Sequence, residues 1–173
     1  LILICIGIFW GAYFISISAT IFFPKSATAQ DRQIISKRFD DGGVYEGTLK
    51  NGLQDGFGTY RLPNGYEYTG AWVSGKISGQ GEAHFPNDAL YKGHFANGEP
   101  DGIGKITYGD GGTYEGNWSE GIISGRGVSV YSNGTRYDGE FRDGMHNGSG
   151  IMTYPDGAIY EGIWVDNKKQ GQA

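Results

Sequence analysis

A chain of 173 residues is long enough for one globular domain, yet it holds 32 glycines beside 12 Tyr, 9 Phe and 4 Trp, a mixture that a flexible linker does not have. Its only cysteine, Cys5, leaves no disulfide framework and no thiolate metal site. From Phe39 onward 18 acidic side chains stand against 10 basic ones, a net of −8, which argues against binding to nucleic acid.

The chain opens with Leu1 to Phe23, almost wholly apolar and without charge, and 23 residues in a helix can span a hydrocarbon core. There is no initiator methionine, so a fragment lacking any basic leader segment is expected. Ile4 stands before Cys5 where a lipoprotein signal requires a small residue, which speaks against lipidation. Pro24 ends the helix, and Ala27-Thr28-Ala29 then forms an A-x-A signal-peptidase pattern. Two readings stand for residues 1–24: a cleaved signal peptide, favoured by the A-x-A site and the proline, or an uncleaved transmembrane anchor, favoured by the length of the apolar run. Both predict repeats that are exported (periplasmic or extracellular) or anchored in a membrane by residues 1–23. Residues 25–38 mix charges without an apolar period and read as a linker.

From Tyr45 a 23-residue period runs without insertion, with tyrosines at 45, 68, 91, 114, 137 and 160. Two positions on stands glycine (Gly47, Gly70, Gly93, Gly116, Gly139, Gly162), and two further Leu49, Trp72, Phe95, Trp118, Phe141 and Trp164. Spacing by two places tyrosine, glycine and the large apolar residue on one face of a strand. Gly52, Gly75, Gly98, Gly121 and Gly144 then mark a turn, with Asn167 in the last repeat, and Asn51-Gly52 and Asn97-Gly98 are strong hairpin dipeptides.

A second strand opens on Gly-x-Gly (Gly56/Gly58 and its counterparts) and runs to an apolar column of Leu62, Phe85, Tyr108, Tyr131 and Tyr154. Turns such as Pro63-Asn64-Gly65 and Pro155-Asp156-Gly157 follow. Phe39 fits the apolar column one period earlier, so the array is expected to start with a half repeat at 39–44. The glycines are thereby architectural: on the aromatic face they leave room for rings of the neighbouring strand.

The columns Tyr-x-Gly-x-Trp/Phe-x-x-Gly and Gly-x-Gly resemble the MORN (membrane occupation and recognition nexus) repeat, over residues 39–173. The resemblance implies an all-β fold, an elongated, twisted single sheet of antiparallel hairpins, here preceded by the N-terminal apolar helix. Two strands per repeat at about 4.8 Å would make a rod of roughly 55 Å. The last repeat stops at Gly171-Gln172-Ala173 before its second strand, which predicts that the natural chain continues.

No catalytic constellation emerges, and the chain is read as a non-enzyme without cofactor or metal. His84, His94 and His146 fall in different columns without ligand spacing. The carboxylates beside tyrosine, Glu46, Glu115, Asp138 and Glu161, alternate away from the rings, and a periodic solvated edge explains them better than a glycosidase pair. Gly111-Gly112-Thr113 lacks the Lys-Ser/Thr and the helix of a phosphate cradle.

The leading functional expectation is a scaffold for a protein partner, with Trp72, Phe95, Tyr114, Trp118 and Phe141 as candidate binding residues and plain sheet packing as their simpler explanation. Alternatives are an accessory region of a larger enzyme whose catalytic domain lies outside this chain, and a lipid-binding module, which the acidic charge opposes. A glycan-binding surface of exposed Tyr and Trp is chemically sensible for an exported rod. Open strand edges would also allow an edge-to-edge homodimer.

Overall fold

The structure is a computed structural model that describes residues 33–171. The N-terminal helix, the signal or anchor reading of residues 1–24 and Cys5 lie outside the described residues. Among the described residues no helix is long and apolar enough to cross a membrane.

Thirteen strands follow one another: β1 (Ile35–Arg38), β2 (Val44–Lys50), β3 (Leu53–Arg61), β4 (Glu67–Val73), β5 (Lys76–His84), β6 (Leu90–Ala96), β7 (Glu99–Thr107), β8 (Thr113–Ser119), β9 (Ile122–Val130), β10 (Arg136–Arg142), β11 (Met145–Thr153), β12 (Ile159–Val165) and β13 (Lys168–Gln170). They form a single open sheet in sequence order, each strand antiparallel to the next. The all-β, single-sheet hairpin array read from the 23-residue period is therefore present.

The sheet begins earlier than the period suggests. Ile35–Arg38, inside the segment read as linker, pair with Gly47 to Val44 of β2. The turn after β1 has the same build as the later ones: Phe39 N–H donates to Gly43 O at 2.8 Å, and Gly43 N–H to the Asp41 carboxylate at 2.8 Å. β1 lacks Gly-x-Gly, so no column announced it; its pairing rests on backbone groups, which any sequence supplies.

Within each hairpin the two residues between strands, such as Asn51-Gly52 and Glu120-Gly121, both take positive φ, the signature of a type I′ turn. The second strand is longer than the first by a bulge. Gly47 pairs with Gly58, but Leu49 pairs with Gln54, and the same shift recurs in the other full hairpins. The first glycine of each Gly-x-Gly sits in this bulge, with φ of 95° at Gly56 and 81° at Gly125, which L side chains adopt only at a cost. Contacts between repeats, by contrast, are regular: Gly58 faces Gly70 and Tyr60 faces Tyr68.

These registers align one glycine from every strand, β2 to β12, in a single row across the sheet. The ring of Tyr45 lies over the Gly47–Gly58 pair of its own hairpin; a Cβ on either glycine would meet the phenol oxygen at 2.4 Å. The covering ring thus belongs to the glycine's own strand as well as to the neighbour, where only the neighbour was expected. The Tyr45 hydroxyl donates to Thr48 O at 2.9 Å, and Tyr68, Tyr91, Tyr114 and Tyr137 repeat this bond three residues on. Because the bulge interrupts the ladder at that carbonyl, the phenol supplies a partner that the neighbouring strand does not.

Next to each tyrosine stands the large apolar residue of the following repeat. Tyr45 meets Trp72 edge to face at 5.3 Å, Tyr68 meets Phe95 at 5.1 Å, Tyr91 meets Trp118 at 5.1 Å and Tyr114 meets Phe141 at 5.1 Å. Trp72, Phe95 and Trp118 each also touch the tyrosine of their own strand. The core is therefore one continuous file of T-shaped ring contacts that ties every hairpin to its neighbours.

Candidate functional site

The five residues singled out for binding all stand in that file. Trp72, Phe95, Tyr114, Trp118 and Phe141 are between 0% and 8% exposed. The indoles are further tied down: Trp72 Nε1–H donates to Gly58 O and Trp118 Nε1–H to Gly104 O, each at 3.2 Å. Burial pushes the phenols of Tyr68, Tyr91, Tyr114 and Tyr137 up to about 12. Chemically these side chains hold the sheet together.

The histidines are dispersed. The His84 Nε2 lies 2.9 Å from Glu82, whose carboxyl is held below its ordinary range chiefly by Lys92 and also by His84. The His94 Nδ1 lies 2.9 Å from Asp101 O. His146 is buried, stacked on Tyr137 at 3.7 Å and 2.8 Å from the Tyr131 hydroxyl, and burial lowers its pKa. Among the described residues no group of three or more His, Cys, Asp or Glu is placed to hold a metal ion.

On the face opposite the rings, Glu46, Thr59, Thr69, Glu82, Lys92, Lys105, Glu115, Val128, Asp138, Ile151 and Glu161 form a second row across the sheet. The carboxylates noted beside tyrosine are members of it. Glu46 binds Arg61 at 2.8 Å, Glu115 binds Lys105 at 3.2 Å and Asp138 binds Arg136 at 2.8 Å. Lys92 and Lys105 stand directly opposite each other, flanked by Glu82 at 2.8 Å from Lys92 and by Glu115 beside Lys105. Like charges in a cross-strand pair are unfavourable, and the flanking carboxylates offset them.

Over this row lies an open trough of about 750 Å³. Phe57 and Ile103 line it, 66% and 62% exposed, at the same repeat position in hairpins two repeats apart. The 23-residue period does not mark them, because the same position also holds Gln80, Arg126 and Ser149. The signal available was local: an apolar residue inside Gly-x-Gly, in Gly56-Phe57-Gly58 and Gly102-Ile103-Gly104. The Gly111-Gly112 turn, in turn, spends its Gly112 N–H on the Asp110 carboxylate at 2.9 Å.

A sheet built from identical hairpins, cored by tyrosine over glycine, defines a β-hairpin repeat protein. The model of the MORN repeat family matches residues 45–65, 68–89, 91–113, 114–136, 137–159 and 160–173, and the chain belongs to that family. The chain is 42% identical over 69 residues to Alsin of Rattus norvegicus, and 39% identical over 69 residues to Alsin of Mus musculus and of Homo sapiens. Each match covers 33% of this chain and 4% of the relative, so the chain spans a small part of the length of these proteins. Among solved structures, it is similar to the SAS-4 (dCPAP) TCP domain of Drosophila melanogaster, described in complex with a proline-rich motif of Ana2 (dSTIL). That likeness has a TM-score of 0.49 and 15% identity, over 76% of this chain and 72% of the other.

Proposed function

We propose that the array is a non-enzymatic scaffold whose outward trough receives a protein partner, and that it is exported or membrane-tethered through residues 1–23. The observation that carries the reading is the pair Phe57 and Ile103. Both are large, apolar and well exposed, and they lie along a trough whose other side is lined by Glu82, Lys92, Lys105 and Glu115. Exposed apolar side chains set among charged ones are a composition that a protein contact uses. The buried candidates Trp72, Phe95, Tyr114, Trp118 and Phe141 serve it from beneath by holding the sheet in shape.

The test is a comparison of variants. Full-length chain should capture a specific protein that the Phe57→Ser/Ile103→Ser double variant, melting at the same temperature, does not. Equal capture by both would remove the trough from the reading. For export, mass spectrometry of the mature protein is expected to find Gln30 at its N-terminus if the signal is cleaved, and the apolar segment intact if it anchors.

A second reading is favoured by one observation: the Alsin sequences match over 4% of their length. The repeats of this chain would then be an accessory region of a larger protein, an enzyme included, and the length of the intact gene decides it. Binding to anionic lipid has no such support; flotation of the chain with anionic vesicles in a salt-sensitive manner would establish it.

A further inference from the structure

The apolar column at the end of the second strands holds Leu62, Phe85, Tyr108, Tyr131 and Tyr154, one residue at every second strand. What separates these side chains differs along the sheet. Between Leu62 and Phe85 stands Tyr66, whose ring packs on Phe85 at 5.7 Å. In the equivalent place between Tyr108 and Tyr131 stands Gly112, and Ser129 occupies the column that elsewhere holds Tyr60, Ala83, Ile106 or Met152. Removing side-chain volume at these two points opens a cleft of about 300 Å³ between the two tyrosines, floored by Ile123 and Phe141.

The two rings are the exposed members of the column, Tyr108 at 39% and Tyr131 at 42%. Two strand spacings set them about 9.6 Å apart along the sheet. Tyr131 is steadied from below, its hydroxyl 2.8 Å from the His146 Nε2. The Tyr108 hydroxyl and the Asp110 carboxylate flank the cleft, the Asp110 Oδ1 accepting from Gly112 N–H at 2.9 Å, while Ser129 is buried beneath and bonded to the Tyr131 hydroxyl. No lysine or arginine lines it.

We propose that the Tyr108–Tyr131 cleft is a binding site for a neutral β-1,4-linked polysaccharide. Pyranose rings with equatorial substituents present a flat C–H face that stacks on an aromatic ring. In an extended β-1,4-linked chain every second sugar shows the same face, at a repeat close to the spacing of these tyrosines. Asp110 accepts from the hydroxyls of the intervening sugar. A carboxylate without a cation in the cleft repels uronic acids, sulfated glycans and phosphate, which restricts the ligand to uncharged sugars. An α-1,4-linked chain coils and does not offer two coplanar faces at that distance.

The site is separate from the outward trough, which lies on the opposite face, so the two stand or fall independently. Calorimetric titration of the full chain with the β-1,4-linked hexasaccharides of glucose and of N-acetylglucosamine is expected to show saturable, salt-insensitive binding of at least one. The α-1,4-linked glucose hexasaccharide is expected not to bind. Tyr108→Ala should weaken binding at least about tenfold, and Tyr108→Phe should retain it, because stacking needs the ring. Should Tyr108→Ala unfold, NMR titration of the unaltered chain replaces it, with ring signals of Tyr108 and Tyr131 moving first. No binding of either β-1,4-linked sugar, equal binding of the α-linked one, an unaffected Tyr108→Ala variant, or unmoved tyrosine signals would each overturn the proposal.

Discussion

Tyr114 lies across Gly127 of the neighbouring strand so closely that a Cβ there would stand 2.5 Å from the ring. The same ring covers Gly116, which pairs with Gly127, and its hydroxyl donates to Asn117 O at 2.9 Å. Ring, glycine pair and bulge carbonyl are therefore one device, repeated along the sheet.

Gly127→Ala is expected to cost about 1–3 kcal/mol, because the methyl must displace a fully buried ring. Gly144→Ala provides the contrast: nothing lies within 4 Å of its Cβ, and only the φ of 76° is unfavourable, so about 1 kcal/mol is expected. Urea denaturation of the two variants checks the order; a cheaper Gly127→Ala would refute the covering-ring account.

Trp118→Phe removes the indole N–H that Gly104 O accepts while keeping a ring like those of Phe95 and Phe141. A loss of about 1–2 kcal/mol is expected. Trp118→Ala empties the position and should cost about 3–5 kcal/mol, seen as a lower urea midpoint by circular dichroism. A stable Trp118→Ala chain would return Trp118 to the list of partner-binding residues.

Glu120 holds the first turn position of its hairpin at φ 48°, where Asn51 and Asn97 stand at 53° in theirs. Glu120→Asn should stabilise the chain by about 0.5–1 kcal/mol, since asparagine tolerates this region better and the N–H bond to Asp101 is kept. A thermal melt that does not rise would count against turn strain.

Burial lowers the pKa of His146 in the folded chain, so the fold favours its neutral form. The unfolded histidine titrates near 6.5, and the stabilising effect of neutrality is complete above that value and declines as pH falls through the lower folded pKa. Stability measured from pH 7 to 5 should therefore drop, and His146→Ile should flatten the slope, because Ile77 and Ile123 occupy the same repeat position. An unchanged slope would place the acid sensitivity elsewhere.

The alkaline limit has the opposite sign. Tyr68, Tyr91, Tyr114 and Tyr137 are held up to about 12 by burial, so their stabilising contribution is present below about 10 and disappears as pH rises through the folded value. Phenolate absorbance from these rings should rise together with loss of the sheet signal; ionisation well before unfolding would show that the rings are open to water.

How much of this could be read in the residues depends on whether a feature recurs. The period from Tyr45 to Tyr160, the Tyr/Trp face and the hairpin turns depend on local rules: side chains alternate along a strand, and glycine or asparagine accepts positive φ. These rules act within one repeat, and the repetition shows them six times. They settled the all-β hairpin array and its buried face, and they brought the five ring residues into view without separating packing from binding.

Tertiary structure decided what depends on two strands at once. The bulge is invisible in one strand, since it is a mismatch of count between Gly47–Leu49 and Gln54–Gly58. Pairing of β1 needed β2, because backbone groups carry no sequence mark. The exposure of Phe57 and Ile103, and the opening between Tyr108 and Tyr131, follow from what stands on the neighbouring strands. Sequence by itself determined the repeated hairpin, because its energetics are local; only the folded sheet determined which non-repeating side chains reach the surface, because exposure is set by neighbours distant in the chain.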